Sequence, residues 1–117
     1  MKTRSPITTH ILDQSIGKPA AGVGVLLEKL DVQNHWLILK ESATNADGRV
    51  EDLLAPGSEA EPGTYRMSFE VGTYFRSTKR DSFYPYVSIS FEIKKAEEYY
   101  HVPLLLSPYG YSTYRGS

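Results

Sequence analysis

Polar and hydrophobic residues alternate with a period of two along much of this chain. In ITTHILD, Ile7, Thr9 and Ile11 fall on one side and Thr8, His10 and Leu12 on the other, the pattern of a half-buried β-strand. TYRMSFEV sets Tyr65, Met67 and Phe69 against Arg66, Ser68 and Glu70, and YVSISFEIK turns Val87, Ile89, Phe91 and Ile93 one way. VGVLLEKLD and QNHWLILKE are two more strand segments, rich in branched residues, with a turn at VQN between them. GKPAAG and APGSEAEPG punctuate the pattern as loops, and the Asp-Gly pair of TNADGRVEDLL marks a turn before a short strand. EYYHVPLLL and YSTYRG bring the total to about eight strands.

Turns at this regular spacing predict an all-β sandwich forming one domain over residues 1–117. Two places break the rhythm. In GTYFRSTKRD, Tyr74 and Thr78 lie one helical turn apart, which predicts a short helix near residues 72–79. Pro103 interrupts the apolar run YHVPLLL. It lacks an N–H, so a bulge, a lost rung or a local bend is expected there.

A hydrophobic fraction of 40% over 117 residues suffices for one core. No stretch approaches the roughly 18 apolar residues that span a membrane. MKTRSPITTH has no apolar run behind its basic residues, so no secretory signal is expected and a cytoplasmic location is favoured. Without cysteine there is neither a disulfide framework nor a thiolate metal site. Thirteen basic residues against fourteen acidic ones leave a net charge of −1, with no basic face of the kind nucleic acids require.

Few residues offer chemistry. His35, beside a turn in QNHW, is expected at the rim. His10 sits in mid-strand on the Thr8/Leu12 face, and His101 lies in YYHVP beside the awkward proline. With an ordinary pKa of about 6.5, either imidazole can serve as acid or base near neutrality. Arg49 opens a strand after the Asp-Gly turn, and Arg115 lies in the terminal YRGS. Taken singly, each of these has an unremarkable structural explanation. No nucleophile elbow, phosphate loop or HExxH pattern is present. A zinc set of His10, His101 and Asp47 has no local spacing motif to support it, so neither metal nor cofactor is expected.

Several segments together, ITTHILD, GKPAAGV, TNADGR, SFYPYVSISF and YYHVPLLLSPYGYSTYRGS, resemble the transthyretin-related 5-hydroxyisourate hydrolases, in order and over nearly the whole chain from Ile7 to Ser117. The closing LLLSPYGYSTYRGS is the most specific part. The resemblance implies a prealbumin-like (transthyretin-like) sandwich. It implies that His10, Arg49, His101 and Ser117 are catalytic, and that Tyr114, Arg115 and Gly116 bind substrate. It further implies a homotetramer, a dimer of dimers, with sites in the channel between dimers. The substrate would be a purine-derived small molecule, opened at a cyclic amide, with no membrane or nucleic-acid partner. Members of the family occur in cytosol, periplasm and peroxisomes. Which histidine is the base stays open. Two other functions compete: a transthyretin-like carrier holding a hydrophobic ligand in the channel, and a structural sandwich contacting a partner. His10, Arg49 and His101 make a poor apolar slot, and a purely structural domain leaves the conjunction of two strand histidines with YRGS unaccounted for.

Overall fold

A computed structural model describes residues 4–117; Met1 to Thr3 of the basic start lie outside the described residues. Among the described residues there are nine strands and one helix: β1 Ile7–Asp13, β2 Lys18–Pro19, β3 Gly24–Leu30, β4 Trp36–Ala43, β5 Arg49–Val50, β6 Gly63–Phe69, α1 Val71–Ser77, β7 Val87–Ile93, β8 Tyr100–Ser107 and β9 Gly110–Thr113. One sheet runs β2-β1-β8-β9, with β5 also on β1; the other runs β4-β3-β6-β7. β1 and β8 are parallel and the remaining pairs antiparallel.

The period-two pattern decides which residues go inside. Ile7, Thr9 and Ile11 of β1 are buried, as are Val102, Leu104 and Leu106 of β8, and they meet Val25, Leu27, Tyr65, Met67 and Phe69 of the second sheet. The buried Thr9 hydroxyl donates to the Val102 carbonyl at 2.6 Å, which satisfies the polar group that burial would otherwise penalise. Thr8, His10 and Leu12 therefore stand on the outer face of the first sheet.

Three expectations change in detail and a fourth is narrowed. The strand beyond the eight expected is β2, inside the segment expected to be a loop; it pairs with Leu12 and Asp13 of β1. The helix starts at Val71 and ends at Ser77, not 79, because Thr78 N–H bonds the Phe75 carbonyl in a tightened last turn and Lys79 takes φ 59°. The final strand stops at Thr113, and Gly116 rejoins the sheet through a single bridge to His101. Of the outcomes expected at Pro103, the lost rung is the one found. β8 keeps an unbroken register with β1 through His10 and Pro103. On the other side, Pro103 falls between the last β9 pair, Leu104 with Thr113, and the His101–Gly116 bridge, and its carbonyl is taken by the Thr113 hydroxyl at 2.7 Å.

Candidate functional site

The outward face of β1 and its neighbours builds the site. Parallel pairing places Thr8 opposite His101, and the antiparallel β5 places Arg49 opposite His10. Two histidines ninety-one positions apart in the chain (10 and 101) thus share one sheet face. Arg49 reaches it through a compact turn. The Asn45 side-chain carbonyl accepts from Asp47 N–H at 2.9 Å and Arg49 N–H at 3.1 Å, an Asx-type closure. Gly48 then takes φ 72°, and a Cβ there would lie 2.5 Å from the Ile11 carbonyl oxygen, so β5 closes against β1 only because the residue is glycine.

The chain terminus forms another wall. Gly116 N–H donates to the His101 carbonyl at 2.8 Å. A Cβ at Gly116 would sit 2.6 Å from His101 Cδ2, so the tail backbone lies directly on the edge of the imidazole. Ser117 follows and lines an open hollow of about 270 Å³ together with Thr8, Arg49, His101, Tyr99 and Arg4. Ser5, Thr9 and Glu51 complete its lining. His10 stands beside this hollow as the register partner of Arg49.

The electrostatics keep both imidazoles neutral at physiological pH. Burial lowers the His101 pKa below 6.5; the positive charge of Arg49, that of His10 whenever it is protonated, and that of Arg4 push the same way, against a hydrogen bond to the Thr8 backbone that raises it. Burial, then Arg49, lowers that of His10, partly offset by Asp47. Desolvation and nearby positive charge both disfavour an imidazolium. His101 Nδ1 shares a 2.8 Å hydrogen bond with the Thr8 hydroxyl.

Of the residues expected at the site, His10, Arg49, His101, Gly116 and Ser117 come together. Tyr114 and Arg115 turn elsewhere within the chain. The Arg115 guanidinium donates to Glu98 at 3.1 Å and to the Tyr99 carbonyl at 3.0 Å, and lies over the Tyr100 ring. Tyr114 is exposed and, with Arg115, borders a second, more apolar hollow of about 290 Å³ that meets the first at His101. His35 is exposed, away from the site. Among the described residues, His10, His101 and Asp47 are not gathered into a metal-binding set.

Sequence reasoning did not single out Thr8, Arg4, Tyr99 or Glu51. Thr8 had a usable signal, since it lies two positions before His10 on the same strand face. Arg4 had none; its guanidinium stacks 3.7 Å from the Tyr99 ring centre, a contact between distant segments.

Fold and hollow together define a class: a two-sheet sandwich with a polar, imidazole-bearing hollow of small-molecule size on the outer face of one sheet. The sequence model of the HIUase/Transthyretin family matches residues 7–116, and the chain belongs to that family. It is 52% identical over 111 residues to the 5-hydroxyisourate hydrolase of Salmonella dublin, an alignment covering 95% of this chain and 80% of that one. The solved Klebsiella pneumoniae 5-hydroxyisourate hydrolase superposes with a TM-score of 0.82 at 37% identity, covering both chains entirely. Sea bream transthyretin, solved in complex with thyroxine, superposes with a TM-score of 0.87 at 25% identity, over 96% of this chain and 95% of that one.

Proposed function

We propose that this protein is a 5-hydroxyisourate hydrolase acting in urate degradation. It would open the cyclic amide to 2-oxo-4-hydroxy-4-carboxy-5-ureidoimidazoline. The observation that carries the reading is the meeting of His101, Arg49 and Ser117 at one hollow, with His10 beside it as the register partner of Arg49. In the reaction, water attacks a ring carbonyl, an oxyanion develops, the carbon–nitrogen bond breaks and the released nitrogen takes a proton. One neutral imidazole accepts the proton of the water, and the other relays a proton toward the leaving nitrogen. Arg49 contributes fixed positive charge and a planar donor fork for the ring carbonyls and the oxyanion. Ser117 offers a hydroxyl to water or substrate, and Gly116 closes the wall beside His101.

A carrier function is disfavoured by the lining: guanidinium, imidazole and hydroxyl groups suit a polar purine-derived ring better than a hydrophobic ligand. For Tyr114 and Arg115 to act on substrate, their contribution would come at a hollow shared between copies. We infer a homotetramer, a dimer of dimers. Support comes from the edges: among the described residues β7 and β9 each pair on one side only, and Tyr86, Tyr111 and Tyr114 beside them are exposed. Such edges are commonly covered by a symmetry-related copy.

The test is the decay of freshly generated 5-hydroxyisourate, followed by ultraviolet absorbance with and without the protein. Acceleration is expected, with His101→Asn lowering turnover by about 10²–10⁴-fold. No acceleration by the folded wild-type protein would sink the reading.

A further inference from the structure

The imidazole of His101 is held on two edges. On one, Nδ1 shares its 2.8 Å hydrogen bond with Thr8 Oγ1. On the other, the Gly116 backbone lies so close to Cδ2 that no side-chain carbon would fit. The tail is itself tied to the His101 carbonyl by the Gly116 N–H, so the ring cannot swing off Thr8 without displacing the chain end. Thr8 is fixed in turn, because the parallel β1–β8 register makes it the cross-strand partner of His101. With Nδ1 and Cδ2 both engaged, Nε2 is the nitrogen left to work in the hollow.

We propose that Thr8 is a positioning residue that keeps neutral His101 in the Nδ1–H tautomer, leaving Nε2 as the bare proton acceptor. This rests on the hydrolase reading and names which nitrogen does its proton work. Which ring nitrogen carries the proton is set by the hydrogen bond the other makes. With Nδ1–H donating to Thr8 Oγ1, Nε2 has a lone pair for a proton of the attacking water. When Nε2 takes that proton, the hydroxide left behind bonds to the ring carbonyl carbon. The Nδ1–H···Oγ1 bond is unchanged, so Thr8 accepts throughout the cycle and nothing reorients at the moment of transfer. The proton leaves Nε2 again when it is passed on toward the leaving nitrogen. The opposite arrangement, with Thr8 donating to Nδ1, puts the proton on Nε2 and removes the base.

Ring ¹⁵N chemical shifts of labelled protein, measured above pH 7, read the tautomer directly. The expected result is a protonated Nδ1 and a bare Nε2 for wild-type His101. Thr8→Val keeps the branched shape and removes the hydroxyl; it should move the ring toward the Nε2–H form and cut kcat by up to about 100-fold with KM little changed. Thr8→Ser should restore both the shifts and kcat. A wild-type His101 protonated at Nε2 overturns the proposal. So does a folded Thr8→Val protein with wild-type ring shifts and kcat, or a Thr8→Ser protein as impaired as Thr8→Val. If wild-type protein does not accelerate 5-hydroxyisourate decay, the hydrolase reading fails while the ring shifts still decide what Thr8 does to His101.

Discussion

At the scale of single residues, the site is governed by the cost of charging an imidazole. His10 and His101 have pKa values below 6.5, through burial first and Arg49 next. The charged neighbours facing them are Arg49 and Arg4 on one side of the balance and Asp47 on the other, with Glu51 also lining the hollow. Both rings therefore stay neutral through neutrality and somewhat below. The acid limb of turnover should have its midpoint below about 6.5, as a combined titration of the two rings. Arg49→Gln removes a positive charge, so the acid limb of the pH–rate profile should move up toward 6.5 in whatever activity remains. A limb that does not move would separate Arg49 from the imidazoles. The same shifts affect stability. Well above a pH of about 6.5 neither ring is protonated, folded or unfolded, and they contribute no pH dependence. Below it the unfolded chain binds protons more readily, so stability falls as pH drops.

Among elements, the decisive contact is the closure of β5 on β1. Ile11 N–H donates to the Gly48 carbonyl at 2.7 Å, and the absence of a side chain at Gly48 permits that approach. Gly48→Ala introduces a carbon 2.5 Å from a backbone oxygen, at a φ that disfavours any side chain. It should lower stability by about 2 kcal/mol or more, read as a shift in urea midpoint, and should lower turnover by displacing Arg49 from His10. Full turnover at reduced stability would show that Arg49 finds its place without the turn. Pro103 illustrates the converse, since an apparent defect falls at the step where the ladder is already interrupted and the tail crosses to His101.

For the whole molecule, one buried acid ties distant segments together. Asp13 has no exposed surface. It accepts from Tyr74 Oη of α1 at 2.7 Å, from the Arg80 guanidinium at 2.7 Å, and from the Ser15 hydroxyl and backbone. Burial alone would raise its pKa, but the bonds from Arg80, Ser15 and Tyr74 outweigh it and hold the carboxyl below 3.8. This stabilisation is present above the ordinary carboxylate pKa and is lost as pH falls through the folded one. Arg80→Ala leaves a buried carboxylate without its cation and should cost about 3 kcal/mol, measurable by denaturant titration at neutral pH; a loss near zero would mean that the two hydroxyls suffice. In solution the particle mass should be four times that of the 13.2 kDa chain by analytical ultracentrifugation. A monomer would leave the β7 and β9 edges uncovered and remove the proposed route for Tyr114 and Arg115 to reach a site.

What the sequence determined by itself is whatever neighbours encode. The alternation in ITTHILD, TYRMSFEV and YVSISFEIK shows which side chains face inward, the Asp-Gly pair marks the turn before Arg49, and the Tyr74–Thr78 spacing shows a helix to within two residues at its end. These signals are local, so a sandwich was legible, and so were two histidines out of place in strands; their membership in one site was legible only through the family resemblance. The two-residue strand at Lys18–Pro19 was hidden because so short a pairing depends on β1 rather than on its own residues. Only the tertiary structure decided that β1 and β8 run parallel in the register that sets Thr8 against His101, that the chain end lies on the imidazole edge, and that Arg115 bonds to Glu98 rather than entering the hollow. Each is a contact between residues distant along the chain, chosen by the pairing of strands as a whole, and no periodicity along the chain specifies it.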